Sequence, residues 1–310
     1  MDTRQLRYFA AIYEHGTLSA AAASERVAIS ALSHHLANLE RELGTRLFVR
    51  KPRGLEPTAA GQRLNEHARS ILKSVSDAET DVREAGGSIG GDVSIGMAFS
   101  AVKMIGVDFV SRVLNDFPLV GLSLTESLSG SSLMRVLATD IDLALVYNPP
   151  ADPRLKTRPV LRERLVCVGT PELMGPHGEP ITFDEVRALP LILLRQGASA
   201  LAILDDLPLL KKLESSARVR MNSLHAMAGS LIAGLGCAVG TDLFMREHVE
   251  SGALSLRPIV EPDLRRTLYL CELAGKPPRF ALEAMSDLIL ELVADSVQRG
   301  DWHAELVQDG

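Results

Sequence analysis

The sequence predicts an α/β protein with an all-α N-terminal part, and three observations predict it. Residues 19–44 read as a helix, a sharp turn and a second helix. Residues 58–85 carry apolar side chains at a sustained helical spacing. Beyond residue 92, short β-branched runs alternate with helical stretches, which implies a sheet covered by helices.

Taken in order, residues 4–15 bring Leu6, Phe9, Ala10 and Tyr13 to one helical face, and Gly16 ends that helix. The small residues 20–23 let a second helix pack closely against the first, and Val27 is the apolar plug of the turn. Ser30 stands where an N-cap would open the next helix, along which Ala31, Leu32, Leu36, Leu39 and Leu43 recur at helical spacing. This is the pattern of a helix-turn-helix, whose second helix enters a DNA major groove. Leu47, Phe48 and Val49 form a strand-like run, and Pro52, Gly54 and Pro57 bracket a turn. Residues 47–57 therefore read as a small two-stranded wing.

A new helix opens at Thr58. Its apolar positions Leu64, Ala68, Ile71, Val75, Ala78 and Val82 advance in alternating steps of four and three, a heptad seam flanked by charged residues. From residue 58 to 85 it would run about 42 Å at ~1.5 Å per residue. With no core of its own, the helix is expected to bury its seam against a second copy of the chain. Two copies would present two reading helices to successive major grooves, about 34 Å apart or a multiple of it. Gly86 and Gly87 end the helix, and residues 88–92 read as a hinge.

The rest alternates. Strands are expected at 93–97, 122–126 and 143–147, with helices at 102–115 and 131–139 between them, the order of a parallel sheet. A second series has strands at 165–168, 191–194, 219–221 and 238–239, with helices at 184–189, after Ser199 and at 224–233. A strand at 266–272 and an amphipathic helix at 280–297 close the chain. Two lobes of similar plan suggest a hinged ligand-binding module with a cleft between them. The expected organisation is a DNA-binding domain at 1–58, a dimerising linker helix at 59–87 and an effector domain at 88–310. In the last, lobe I takes 92–161 plus 267–310 and lobe II takes 162–266.

Composition narrows the class. The 310 residues are enough for several cores, and 46% hydrophobic with 23% charged is ordinary globular usage. No apolar run approaches the roughly 18 residues of a membrane span, and the N-terminus lacks the apolar core of a secretory signal. Cys167, Cys237 and Cys271 are scattered, which fits reduced thiols and a cytoplasmic location. The net charge of −6 argues against a nucleic-acid partner until its distribution is considered. Residues 1–58 hold eight Lys and Arg against six Asp and Glu, a balance of +2 that leaves −8 elsewhere. Arg46, Arg50, Lys51 and Arg53 cluster just after the reading helix, and a local patch is what phosphate contacts need.

These residues closely resemble the LysR-type transcriptional regulators. The matching text is Leu6-Arg7-Tyr8-Phe9, Gly16-Thr17-Leu18-Ser19-Ala20-Ala21-Ala22, Ala31-Leu32-Ser33, Leu39-Glu40-Arg41-Glu42-Leu43-Gly44, Leu47-Phe48-Val49-Arg50 and Pro57-Thr58-Ala59-Ala60-Gly61. Looser matches at Val93-Ser94-Ile95-Gly96, Asp142-Leu143-Ala144-Leu145, Gly234-Leu235-Gly236 and Gly252-Ala253-Leu254 extend the resemblance over essentially the whole chain. Residues 92–118 and the Arg195 region look most like the nitrogen-assimilation-control branch. The resemblance implies a winged helix-turn-helix, a dimerising linker helix and a two-lobed effector domain folded like type 2 periplasmic binding proteins. It also implies a homotetramer on promoter DNA, with RNA polymerase as a further partner.

One departure matters. The family usually writes Ser-Gln-Pro where this chain has Ala28, Ile29 and Ser30, and His34 stands where arginine is frequent. Ile29 offers no hydrogen bond and would touch a thymine methyl. Ser30, Ser33 and His34 are expected at bases or phosphates, and Arg50, Lys51 and Arg53 at phosphates or the minor groove. His34 and His35 point about 100° apart on a helix, so a shared metal ion is not expected.

In parallel α/β sheets, ligands lie beyond the C-terminal strand ends, where helix N-termini favour anions. Four stretches qualify here, at Ser100, at Ser129 with Ser131, at Arg195 with Gln196, and at Asn222 with Ser223. The resemblance assigns effector contacts to the positions of Ser100 and Ser129. Hydroxyls, amides and an arginine together suggest a small carboxylate or other anion as effector, with no cofactor. Enzyme readings fare worse. Gly86-Gly87-Ser88-Ile89-Gly90 fits G-x-S-x-G by letter, but a helix precedes it and a strand follows, the reverse of a nucleophile elbow. Gly234, Gly236 and Gly240 lack the spacing of a dinucleotide fingerprint. The alternative class is an α/β solute-binding or transferase-like protein with a fused helical dimerisation arm, which ligand turnover without DNA binding would favour.

Overall fold

The computed structural model describes residues 1–52, 54–84, 89–194, 204–277 and 279–307, and the chain divides into two compact units near residue 88. The first unit opens with α1 (Thr3–His15). Asp2 accepts from the Gln5 amide while the Gln5 side chain accepts from the Asp2 amide, a reciprocal N-terminal cap. Gly16 ends α1 in the left-handed region at φ 67°. Thr17 caps α2 (Leu18–Ser24), and α3 (Ile29–Leu43) follows. Ala21 and Ala22 are buried between the helices, where their small size permits close approach. Strands β1 (Phe48–Lys51) and β2 (Gly54–Pro57) pair antiparallel as the wing. Phe9, Ile12, Leu32, Leu39 and Leu47 are the large buried side chains of this core.

Helix α4 (Ala59–Glu84) spans 26 residues, about 39 Å at ~1.5 Å per residue. Thr58 Oγ1 accepts from the Gly61 amide at 3.0 Å. A Cβ on Gly61 would lie 2.2 Å from the Leu47 carbonyl oxygen, so glycine is what lets α4 start against the wing.

Two sequence expectations are corrected in this unit. Ser30 is not the cap of α3: Ala28 is the extended residue before the helix, with no side-chain cap, and Ser30 lies in the first turn. Arg26 takes φ 55° and the Val27 amide bonds back to Ala22, so the turn closes early enough for the helix to begin at Ile29. The seam of α4 is also not uniformly open. Ala68 is fully buried, and Leu64 packs with it in the core of the first unit, so the first half of α4 has a core of its own. Ile71, Val75 and Val82 are 39%, 39% and 77% exposed, and Ala78 is exposed as well.

The second unit begins with β3 (Gly90–Met97), α5 (Phe99–Asp116), β4 (Leu119–Glu126), α6 (Ser129–Leu137), β5 (Leu143–Tyr147) and β6 (Leu155–Arg164). The chain then builds a second lobe from β7 (Val166–Gly169), α7 (Pro171–Met174), β8 (Ile181–Thr182), α8 (Phe183–Ala188) and β9 (Ile192–Leu194). It continues with α9 (Leu207–Ser216), β10 (Val219–Met221), α10 (Leu224–Ile232), β11 (Ala238–Gly240), α11 (Arg246–Glu250) and β12 (Ser255–Val260). It returns through β13 (Arg265–Leu273), α12 (Phe280–Gln298) and β14 (Ala304–Leu306). The first lobe is a six-stranded sheet in the order β14-β6-β13-β5-β3-β4. Alternation along β5 sets its two faces. Leu143, Leu145 and Tyr147 join a core with Phe109 of α5 and Ile289 of α12, while Ala144 and Val146 join one with Val136 of α6. The second lobe holds the sheet β11-β7-β12-β8 and the parallel pair β9 and β10.

The expected parallel sheet is in fact mixed. β3 is parallel to β4 and β5, but β13 is antiparallel to β5 and β6, and β14 is antiparallel to β6. The chain leaves for the second lobe after β6 and returns to insert β13 between β5 and β6, a pairing with no local sequence signal. The expected hinge over 88–92 is shorter, because Gly90, Gly91 and Asp92 already pair with β4. Helix α5 starts at Phe99 and α6 at Ser129, each earlier than expected, with Val102 bonding back to Ala98 and Ser132 to Leu128. Ser100, Ser129 and Ser131 thus lie inside first helical turns and not in loops ahead of them. The helix expected after Ser199 is α9; residues 195–203 lie outside the described residues.

Candidate functional site

The first candidate surface is the outer face of α3. Leu32 and Leu39 point into the core, which fixes the helix rotation and turns Ile29, Ser30 and His34 outward. Ser33 is half-buried beside them. Ile29 is 51% exposed, a large apolar side chain left in solvent at the first turn. His34 is not isolated. It bonds with the Asn38 amide at 3.0 Å, and Asn38 accepts from Arg41 at 3.0 Å, so one polar row runs along the exposed face. Sequence reasoning missed Asn38 and Arg41, although their i, i+4 and i, i+3 spacing was available. His35 turns away and meets Tyr8 edge-on at 5.1 Å. Among the described residues, no cluster of His, Cys, Asp and Glu could hold a metal ion. Arg50 and Lys51 stand exposed on the wing, with Glu56 3.7 Å from Lys51. Arg53 lies outside the described residues.

The second candidate is a cleft within the second unit. Its floor comes from the C-terminal strand ends: Ala98 and Ser100 after β3, Leu128 after β4 and Tyr147 at the end of β5. The other wall is Leu193 and Leu194 of β9, Leu224 and Met227 of α10, and Val239, Gly240 and Thr241 from β11 onward. The lining is mostly aliphatic and aromatic, as small-molecule sites are.

Its polar groups converge on Arg266 of β13. The guanidinium lies 3.6 Å over the Tyr147 ring. Its Nε donates to Glu163 Oε1 at 2.6 Å, and Nη2 reaches Ser100 Oγ at 3.4 Å and Thr241 Oγ1 at 3.5 Å. Ser100 Oγ and the Tyr147 hydroxyl are 2.7 Å apart. Behind them, the Trp302 indole donates to Glu163 Oε2 at 2.8 Å. Burial pushes the Tyr147 phenol up, well away from its ordinary range. Burial works to lower the Arg266 pKa, but Glu163 and Tyr147 more than offset it and hold it raised, so the arginine stays charged.

Of the sequence-predicted effector residues, Ser100 lines this cleft. Ser129 is buried and its hydroxyl accepts from the Tyr147 amide at 3.1 Å, so it holds the end of β5 in place. Ser131 is exposed, outside the lining. Asn222 and Ser223 are exposed too, and Ser223 caps α10 by accepting from Ala226. Arg195 and Gln196 lie outside the described residues. The grouping of Tyr147, Glu163, Arg266 and Trp302 went unread, because only the β13 insertion and the return of the C-terminus bring them together. The three cysteines are buried, and burial pushes the Cys271 thiol up to about 12.

Comparison with known proteins gives the same two-part division. Residues 3–62 match the model "Bacterial regulatory helix-turn-helix protein, lysR family", and residues 86–294 match "LysR substrate binding domain". The chain is 29% identical over 296 residues to the nitrogen assimilation regulatory protein nac of Klebsiella aerogenes, covering 95% of this chain and 96% of that one. It is 26% identical over 306 residues to the nac protein of Escherichia coli K12, covering 97% and 99%. In fold it is similar to full-length OxyR of Pseudomonas aeruginosa, with a TM-score of 0.70 at 17% identity over 100% of this chain and 99% of that one. It is also similar to CbnR complexed with its target DNA, with a TM-score of 0.63 at 22% identity over 96% and 99%.

Proposed function

The chain belongs to the lysR family of bacterial regulatory proteins, and from that premise we propose a transcriptional regulator whose promoter binding is tuned by a small organic molecule held in the cleft of its second unit. The observation that carries this reading is the pairing on one chain of an outward polar α3 face with a separate unit enclosing a lined cleft. Ile29, Ser30, Ser33 and His34 read bases, and Arg50 and Lys51 hold the backbone. The cleft polar group is Ser100 with Tyr147, Thr241 and Arg266. A ligand preferring one lobe arrangement shifts the population of DNA-binding states by its differential affinity. Footprinting on the DNA beside the chain's own gene, with and without candidate ligands, tests this. A protein that protects no DNA, or whose footprint and affinity ignore every ligand that fills the cleft, is something else.

Alanine at Arg50 or Lys51 should weaken binding to all sequences alike. It should also lower the slope of log affinity against log salt by about 1 for each phosphate the protein no longer neutralises. An unchanged slope removes that residue from the interface. The open seam of α4 points to a dimer in which Ile71, Val75, Ala78 and Val82 meet their counterparts. Val75→Asp should shift the protein toward monomer in analytical ultracentrifugation, whereas Ala68→Asp, at a fully buried position, should unfold the first unit instead.

A further inference from the structure

We infer that the cleft takes an uncharged, largely apolar molecule with one hydrogen-bonding head group, and not a carboxylate; the inference rests on the reading of this cleft as the effector site. Among the described residues, Arg266 is the one cation in the lining, and its charge is already matched. Glu163, 2% exposed, takes its Nε at 2.6 Å and is held on its other oxygen by Trp302 at 2.8 Å. A carboxylate entering here would place a second negative charge beside a buried one that cannot turn away. A neutral carbonyl, amide or hydroxyl meets no such cost. The hydroxyls of Ser100, Tyr147 and Thr241 both donate and accept, which suits a neutral head group. Around them Phe99, Met227 and Phe244 offer an apolar bed for the rest of the molecule. The sequence expectation of an anion joined hydroxyls and amides with an arginine and helix N-termini. Arg195 lies outside the described residues, the N-terminus of α10 is already capped by Ser223, and the amides opening α5, which has no side-chain cap, serve a neutral carbonyl as well as a carboxylate.

The test compares octanamide with octanoate, one chain length with and without charge, on the full-length protein. Binding is read by calorimetry and by the fluorescence of Trp302, the single tryptophan. The wild type should bind octanamide at least tenfold more tightly than octanoate. Glu163→Gln removes the resident negative charge and should improve octanoate binding relative to octanamide at least tenfold. The wild-type comparison stands by itself should that variant fail to fold. Octanoate binding as well as or better than octanamide overturns the inference, as does binding of neither. Val239→Trp, which fills the cleft, separates the two levels. Octanoate preferred by the wild type but lost in Val239→Trp sinks the ligand class alone. Octanamide binding that survives Val239→Trp sinks the cleft as the effector site.

Discussion

Glu40→Ala is expected to release the wing from α3 and to lower DNA affinity at least tenfold. Glu40 lies near the end of α3 and is only 8% exposed. Its Oε1 accepts from the Leu47 amide at 2.8 Å and the Phe48 amide at 3.4 Å, and its Oε2 from Arg46 at 2.7 Å. The Arg46 side chain is 81% exposed, so that ion pair contributes little in water. The buried amides matter more. Deleting the carboxylate strands them at the point where β1 leaves the core, at a cost of about 1.5–3 kcal/mol, the scale for hydrogen bonds to a charged group. Glu40→Gln keeps a carbonyl oxygen for Leu47 and should lose less than half as much. Hydrogen exchange on the full chain reads this directly, since the Leu47 and Phe48 amides should lose protection while amides of α1 keep theirs. Unchanged protection at Leu47 would mean that the wing is held by its other ties, among them the Thr58 amide on the Leu47 carbonyl at 2.9 Å and the Leu55 amide on the Gly16 carbonyl at 2.7 Å.

What the sequence made legible was whatever repeats locally. The α1 spacing, the small residues of α2 and the Pro and Gly residues of the wing each carry their geometry within a few positions, and all three appear at the expected places. The strands expected at 143–147 and 219–221 match the observed strands to the residue. At the turn before α3, Ser30 satisfies a local capping preference, yet the helix opens two residues after the left-handed turn closes and has no side-chain cap. The direction of β13 was invisible, because antiparallel and parallel buried strands present the same apolar run. The seam of α4 looks like one surface in the sequence because periodicity records which side chains share a face, not which partner covers each segment of it.

The cleft shows the same limit from the side of chemistry. Ser100 was accessible to reasoning, since it follows a strand that any α/β reading places at a ligand edge. Ser129 is equally accessible to that reasoning, and in the structure its hydroxyl accepts from the Tyr147 backbone amide outside the cleft lining. A hydroxyl at a helix start can brace the backbone or face a ligand, and local sequence does not separate the two. Arg266 carries no local signal at all, for its meaning comes from Glu163, 103 residues earlier, and Trp302, 36 later.

Asp142→Ala should destabilise the second unit by about 3–5 kcal/mol, the range for breaking one side of a buried ion pair. Asp142 precedes β5 and Arg279 is the residue before α12, with side chains 3% and 7% exposed. Arg279 donates to Asp142 Oδ1 at 3.2 Å and to the Asp92 carbonyl at 3.0 Å. Asp142 Oδ2 accepts from both the amide and the hydroxyl of Ser94, at 2.9 and 2.7 Å. One carboxylate thus ties the start of α12 to two strands of the sheet, and its loss leaves a buried guanidinium without that counterion. Urea unfolding followed by Trp302 fluorescence should show the midpoint fall with an unchanged slope. The physical cause is checked by the double variant Asp142→Ala, Arg279→Met. If the cost is mainly the stranded charge, removing that charge too should recover more than half of the loss, because an apolar side chain of similar length has nothing to leave unpaired. If the double variant is as unstable as Asp142→Ala alone, the tie to Ser94 is the dominant contribution, and the ion pair is a consequence of where α12 packs and not what places it there.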